Sequence, residues 1–258
     1  MDLALNARTA LVSGSYRGTG LIIARRLAEE GARVLVHGLE PGQAEAAVDA
    51  LGCGVPVTGD LTTDAGADAV ARDCAEETVD ILVNNYGTAV AGSWDETGSD
   101  GWIEAYQKNV LSAQRLIRHF LPPMRQRGWG RIINLGTVGS TRPAERMPHY
   151  YAAKGALATA TISLARETAG TGVRVNLVSP GLILTPEVEA SYLARAHREG
   201  WGDTWEAVEP RVAEHIPIGR VVRREEVADL VAFLASPRCD AIHGQNIRID
   251  GGALGVLT

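Results

Sequence analysis

Near its start the chain reads Thr9-Ala10-Leu11-Val12-Ser13-Gly14-Ser15-Tyr16-Arg17-Gly18-Thr19-Gly20, an apolar run that breaks into spaced glycines. The run Thr9–Ser13 reads as a strand buried on both faces. Beyond it, Gly20, Ala24, Leu27, Ala28 and Gly31 fall on one face of a helix that begins near Gly18. Glycines at such a junction permit a tight turn, close approach of backbone to a pyrophosphate, and close packing of helix on strand. The helix start adds free N–H groups and the positive end of its dipole. Strand, glycine turn and helix in this order predict a dinucleotide site made by Gly14, Ser15, Tyr16, Arg17, Gly18, Thr19 and Gly20.

The same rhythm continues through the chain. Strand candidates are Thr9–Ser13, Arg33–His37, Val55–Thr58, Ile81–Asn84, Arg131–Leu135, Arg174–Val178 and Asn246–Asp250. Helix candidates lie near Gly18–Glu30, Gly42–Leu51, Asp64–Glu77, Asp100–Leu121, Tyr150–Ala169 and Glu225–Ala235. Such alternation predicts an α/β fold, a parallel sheet with helices on both faces. No linker interrupts residues 1–258, so one domain is expected. The stretch Leu184–Ile216 breaks the rhythm, and a connection this long inside a compact domain reads as a lid.

Composition narrows the function. Of 258 residues, 45% are hydrophobic and 22% charged, and 25 Lys and Arg against 31 Asp and Glu leave a net charge of −6. That balance argues against a nucleic-acid partner. No apolar run is long enough to span a membrane, and the N-terminus lacks the features of a signal peptide. Cys53, Cys74 and Cys239 are too few and too scattered for a disulfide framework or a metal site. Buried thiols in a reducing cytoplasm are the expectation.

The second strand ends in Val36-His37-Gly38, where the adenosine ribose of a dinucleotide belongs. An acid there would bond the ribose hydroxyls and select NAD. Position 38 is Gly, and Arg17 stands within reach of a 2′-phosphate, so NADP(H) is favoured. NAD(H) is the alternative, since Glu40 is able to swing in.

Tyr150 and Lys154 are spaced to share a helix face. The strand Ile132–Leu135 ends in Gly136-Thr137, which puts a hydroxyl at the sheet edge where open α/β sheets bind ligands. Asn109 interrupts an apolar stripe of Tyr106, Val110, Ala113 and Ile117, and a polar group there needs a partner.

In order, the chain carries Ser13-Gly14-x-x-x-Gly18-x-Gly20, Asp60-Leu61, Asn84-Asn85-x-Gly87, Asn109, Tyr150-x-x-x-Lys154, Asn176, Pro180-Gly181 and Gly244-Gln245…Asp250-Gly251-Gly252. This set resembles the short-chain dehydrogenases/reductases in their single-domain form, over essentially the whole chain. The resemblance implies a Rossmann-type sheet of seven parallel strands and hydride transfer at a carbonyl or alcohol carbon. It places Asp60 and Leu61 near the adenine, and Asn84, Asn85, Tyr86 and Gly87 along the cofactor channel. Pro180, Gly181 and Ile183 would meet the nicotinamide, and Thr185 its carboxamide. Asn109, Thr137, Tyr150 and Lys154 take the catalytic roles, with Lys154 lowering the phenol's pKa and Tyr150 serving as acid or base.

Two positions depart from the family pattern: Thr137 replaces the usual Ser, thirteen residues before Tyr150, and Tyr86 replaces Ala. Tyr151 and Ser140 are rival phenol and hydroxyl. Tyr86, Val90, Trp94, Val138, Arg142, Met147, Leu182, Tyr192, Trp201 and Trp205 are candidate substrate contacts, suggesting a bulky or aromatic carbonyl; Trp201 and Trp205 anchoring the lid is the competing reading. The resemblance also implies a homotetramer, or a homodimer, paired through the helices near 100–121 and 150–169. A 3-oxoacyl-[acyl-carrier-protein] reductase is the narrower alternative, needing basic groups at the mouth such as Arg125, Arg127, Arg142 and Arg146. A non-catalytic, cofactor-binding regulator is the alternative of another class.

Overall fold

The structure, a computed structural model, describes residues 1–256. Its strands are β1 (Thr9–Val12), β2 (Arg33–Gly38), β3 (Val55–Thr58), β4 (Val79–Asn84), β5 (Gly130–Leu135), β6 (Val173–Pro180), β7 (Ile183–Leu184), β8 (Val222–Arg223) and β9 (Asn246–Ile249). Seven of them form one all-parallel sheet in the order β3-β2-β1-β4-β5-β6-β9. The short β7 and β8 pair separately, also in parallel.

The helices are α1 (Gly18–Glu29), α2 (Gln43–Leu51), α3 (Asp64–Asp73), α4 (Ser99–Tyr106), α5 (Ser112–Arg127), α6 (Pro148–Glu167), α7 (Pro186–Glu199), α8 (Trp205–Val212) and α9 (Arg224–Ala235). Side chains alternate across the sheet. Ala10, Val12, Val34 and Val36 point to one face, under Ile23 and Leu27 of α1 and Val227 and Val231 of α9. Leu11, Leu35, Leu82 and Ile132 point to the other, under Val70 of α3 and Leu116, Phe120 and Met124 of α5. Two buried faces explain why the strands read as unbroken apolar runs. None of the described helices is long and apolar enough to cross a membrane.

Three local expectations change. The stretch Leu184–Ile216, expected as one long connection, folds as α7 and α8. Glu209 of α8 bonds the Arg223 guanidinium at 2.6 and 2.8 Å and the Val221 N–H at 3.0 Å, which ties α8 to β8. The helix expected to stop at Leu121 runs on to Arg127 through Pro122 and Pro123. Leu121 and Met124 are buried on its core side, and packing outweighs the lost backbone bonds. Finally, α4 and α5 are joined not by regular helix but by a π-helical turn, Gln107–Leu111. Of the cysteines, Cys74 and Cys239 are buried and Cys53 is exposed.

Candidate active site

The strand order reverses between β1 and β4, and a cleft opens there at the carboxyl edge of the sheet, where such sheets bind ligands. Gly14, Tyr16, Arg17, Gly18, Thr19 and Gly20 form one wall; Asn85, Tyr86, Gly87 and Thr88 form the other. Ser13 joins them: its hydroxyl accepts the Asn85 and Tyr86 N–H groups at 3.0 and 2.9 Å. Gly14 has φ +65°, and a Cβ at Gly20 would sit 2.4 Å from Asn85 Nδ2. Tyr86 lies against Gly14 and is half-buried. Burial pushes its phenol up to about 12, so it lines the channel as a neutral ring.

His37 and Ser15 support this wall from within instead of facing the cleft. The Ser15 hydroxyl donates to Val12 O at 2.6 Å and accepts the His37 N–H at 2.9 Å. His37 is fully buried. Its Nδ1 accepts the Gly14 N–H at 2.8 Å and its Nε2 faces Gly59 O at 2.9 Å, an arrangement only the neutral ring satisfies. Burial lowers its pKa from 6.5 to about 4, the Gly59 contact and Asp60 opposing. As pH falls from about 6.5 to 4 the unfolded chain takes up a proton that the folded chain refuses. Stability therefore falls across that window, by about 3 kcal/mol at ~1.4 kcal/mol per pH unit. Urea unfolding at a series of pH values should show this slope in the parent and lose it in His37→Asn; an unchanged slope would refute the assignment.

Gly38 leaves no space for an acid. A Cβ there would lie 2.8 Å from Ala44 N and 2.9 Å from Gln43 Cβ, where α2 begins. Glu40 is exposed and takes a 3.5 Å bond from Gln43. Arg17 lines the cleft above the Tyr16 ring, 5.3 Å from its centroid, with no ion pair among the described residues. Asp60 and Leu61 are outside the cleft wall. Asp60 accepts from the Thr62 N–H and hydroxyl at 2.9 and 2.8 Å. Leu61 is buried, its carbonyl held by Arg115 at 3.0 Å.

Beside this cleft the four expected groups come together. Thr137, past the end of β5, stands beside the Tyr150 phenol, and its hydroxyl accepts the Gly139 N–H at 3.2 Å. The hydroxyl of the rival Ser140 donates to Thr137 O at 2.7 Å. Tyr151 packs over Gly139, where a Cβ would meet its ring. Lys154 is buried, and its ammonium donates to Leu135 O at 2.7 Å. The π-turn carries Asn109, also buried, whose amide donates to Thr88 O and Ala105 O at 3.1 and 3.0 Å. Asn109 Oδ1 and Lys154 Nζ converge on Gly87: a Cβ there would stand 2.5 and 3.3 Å from them.

Burial dominates the electrostatics of this pair. Burial pushes Tyr150 up to about 12, Tyr151 adds to the rise, and the Thr137 hydroxyl opposes it. Burial lowers Lys154 itself to about 8. Its ammonium lies 6.0 Å from the Tyr150 ring centroid. At neutral pH Tyr150 is a protonated, donor-ready phenol.

The substrate contacts are only partly gathered. Met147, at the start of α6, has left-handed backbone (φ 62°) and bonds Gly92 O at 2.8 Å. Val138, Leu182 and Tyr192 are partly buried. Trp94 is 73% exposed and rests on Trp102, 5.1 Å between ring centroids. Trp201 and Trp205 fit the competing reading as anchors of the 184–216 stretch. Arg195 and Arg211 lie 4.7 and 4.3 Å from the Trp201 ring, while Trp205 is buried. Arg125 and Arg127 are likewise remote: the former pairs with Glu167 and the latter with Val79 O and Asp80, at the opposite sheet edge.

A family model described as enoyl-(acyl carrier protein) reductase matches residues 14–253. The chain is a short-chain dehydrogenase/reductase. This makes it an NAD(P)-dependent oxidoreductase. The uncharacterised oxidoreductase YvaG of Bacillus subtilis is 36% identical, covering 98% of each chain. The L-sorbose reductase of Gluconobacter frateurii, solved with NADPH and L-sorbose, superposes with a TM-score of 0.93 at 33% identity and 100% coverage of both chains. A 3-oxoacyl (acyl-carrier-protein) reductase of Agrobacterium tumefaciens, solved with NADP, gives 0.87 at 32% identity, covering 97% of this chain and 95% of its own.

The short-chain dehydrogenase/reductase site fits a nicotinamide dinucleotide. Gly18 has open space at its Cβ position, and Asn109 Oδ1 is buried without a partner among the described residues. Thr185 caps α7 through a 3.2 Å bond from the Val188 N–H. Pro180, Gly181 and Ile183 follow where β6 ends, with the Gly181 N–H on Ile249 O at 3.0 Å. Leu39, Thr88, Lys108 and Glu187 also line the cleft. Sequence reading missed them, because Lys108 and Glu187 arrive from the π-turn and from α7, neither visible in a residue pattern.

Proposed function

We propose that this enzyme is an NADPH-dependent reductase of ketones, acting through Tyr150, Lys154, Thr137 and Asn109. The observation that carries the reading is the convergence of buried Lys154 Nζ and Asn109 Oδ1 on Gly87 of the glycine cleft, with Thr137 standing beside the Tyr150 phenol. A bound nicotinamide would supply the hydride. Gly14–Gly20 and Gly87 would hold the dinucleotide, and Lys154 its nicotinamide ribose. The Thr137 hydroxyl holds the substrate oxygen, and Tyr150 donates the proton that oxygen needs as charge grows on it. Asn109 places an acceptor beside Lys154. A neutral phenol favours reduction, since oxidation requires the phenolate.

Arg17 and the closed corner at Gly38 support NADP(H) over NAD(H). Arg17→Ala should weaken NADPH binding about tenfold and leave NADH binding nearly unchanged, read by quenching of protein fluorescence. A parent that binds NADH more tightly than NADPH would overturn this preference.

The substrate is a small ketone in preference to a carrier-bound acyl chain. Of the four candidate cations, Arg125 and Arg127 lie at the opposite sheet edge, and Arg142 and Arg146 are exposed with Glu145 between them in sequence. A panel containing L-sorbose, simple and aromatic ketones and a 3-oxoacyl thioester, followed by NADPH absorbance, decides between these classes. We further read α7 and α8 as a lid over this one domain, closing to exclude water.

Subunits pair through the outer faces of α5 and α6. Ala152 and Ala160 are exposed there, and an apolar groove of about 490 Å³ runs between Val110, Ile117, Leu157 and Leu164. A monomer in sedimentation equilibrium would overturn this pairing.

A further inference from the structure

Position 86 departs from the family pattern, and its surroundings give the departure a role. Tyr16, Leu39 and Tyr86 are the large apolar side chains of the glycine cleft. Tyr16 lies over the end of β2, where its N–H donates to His37 O at 3.1 Å. The Arg17 guanidinium stands 5.3 Å from its ring centroid. Tyr86 enters from the other wall, past the end of β4. Its ring is half-buried and packs on the core cluster that holds Leu35, Val57 and Leu61. A Cβ on Gly14 would lie 3.2 Å from Tyr86 Cα and 3.4 Å from its Cβ and Cδ2, so glycine at 14 makes room for this side chain.

The groups expected beside the adenine are engaged elsewhere. Leu61 is fully buried and offers no face to a ligand. Both Asp60 carboxylate oxygens accept from the Thr62 hydroxyl at 2.8 Å, and Oδ1 also accepts the Thr62 N–H at 2.9 Å. Neither Asp60 nor Leu61 lines the cleft. The start of α2 closes the corner at Gly38. What the cleft offers a flat heterocycle is the ring of a phenol that burial keeps neutral. A purine carries two broad apolar faces, and stacking on an aromatic ring holds it without any bond to its edge.

We propose that Tyr86 is the adenine platform of this enzyme: the base of the dinucleotide stacks on the Tyr86 ring, and its amino edge is left to solvent in place of a bond to Asp60. This rests on the reading of the cleft as a nicotinamide dinucleotide site. It divides the work of binding between two residues. Arg17 meets the 2′-phosphate and separates NADPH from NADH. Tyr86 holds a base common to both and adds affinity without telling them apart. An unread edge also makes the base replaceable. Hypoxanthine, in which a carbonyl takes the place of the 6-amino group, keeps the stacking face.

Calorimetric titration tests both halves. Tyr86→Leu keeps an apolar side chain on the core cluster and removes the ring. It should weaken NADPH, NADH and free 2′,5′-ADP alike, each about tenfold, while Tyr86→Phe binds all three as the parent does. The hypoxanthine analogue of NADPH should bind the parent within about twofold of NADPH itself. Parent-like affinity for 2′,5′-ADP in Tyr86→Leu overturns the proposal, and so does an equal loss in Tyr86→Phe. Any larger loss for the hypoxanthine analogue also overturns it, since the amino edge would then have a partner on the protein. Should Tyr86→Leu fail to fold, the hypoxanthine comparison, made on the unaltered protein, decides alone. The dinucleotide reading fails separately, if the parent binds neither NADPH nor NADH.

Discussion

Tyr150→Phe is expected to turn over about a thousandfold more slowly than the parent, within the range that general acid catalysis supplies, while binding NADPH as the parent does. The substitution removes one oxygen and keeps the ring. It loses the hydroxyl that stands beside Thr137, and with it the proton donor at the carboxyl edge of the sheet. The pH profile carries a sign. Because burial holds the phenol protonated up to about 12, the reductive rate should show no loss of this donor through neutral pH. Alcohol oxidation needs the phenolate and should rise steadily with pH. Steady-state rates in both directions with the best ketone of the panel and its alcohol test this. Parent-like turnover in Tyr150→Phe would dismiss the acid assignment.

The second large effect belongs to Gly87→Ala. The added methyl would stand 2.5 Å from Asn109 Oδ1 and 3.3 Å from Lys154 Nζ, while Asn109 is itself held by the Thr88 and Ala105 carbonyls. Something must shift, and what shifts is the pair that sits beneath Tyr150. A displacement near 1 Å at a reacting site costs about a hundredfold in rate, so kcat/KM should fall by about that factor. Overpacking should also lower stability, by about 1–3 kcal/mol in denaturant unfolding. Gly98→Ala, with φ −70° and nothing within 4 Å of the added carbon, is the matched control. If Gly87→Ala keeps the parent's kcat/KM, Asn109 and Lys154 do not work from the positions described.

The outline of the molecule was legible because it depends on local patterns. Seven apolar runs became the seven strands of the sheet, near the expected bounds, since burial on both faces demands near-continuous apolar sequence. The glycine turn and the Tyr150–Lys154 spacing were legible for the same reason: a turn or one helical turn of chain sets the relation. Where the outline failed, distant parts of the chain intervened. Packing of Leu121 and Met124 carried α5 through two prolines, and the Glu209–Arg223 pair helps hold α8 in a stretch read as one long connection.

Within the site the division is sharper. Residue types alone announced a glycine turn, a phenol, an ammonium, a hydroxyl and an amide. They left open what each group faces. His37 was read toward the cofactor and turned inward to brace Gly14, because the end of β2 lies beneath the loop. Trp201 and Trp205 were read either toward substrate or as anchors, and the structure sets one between two arginines and the other in the core. Lys154 was expected to acidify Tyr150, yet its ammonium is directed to the Leu135 carbonyl and burial dominates both groups. Sequence thus determined which chemistry the chain carries and in what order, since spacing along a strand or helix is a local property. The tertiary structure alone decided which groups meet, which are dry and which protonation state each holds, because contact and desolvation depend on residues far apart in the chain.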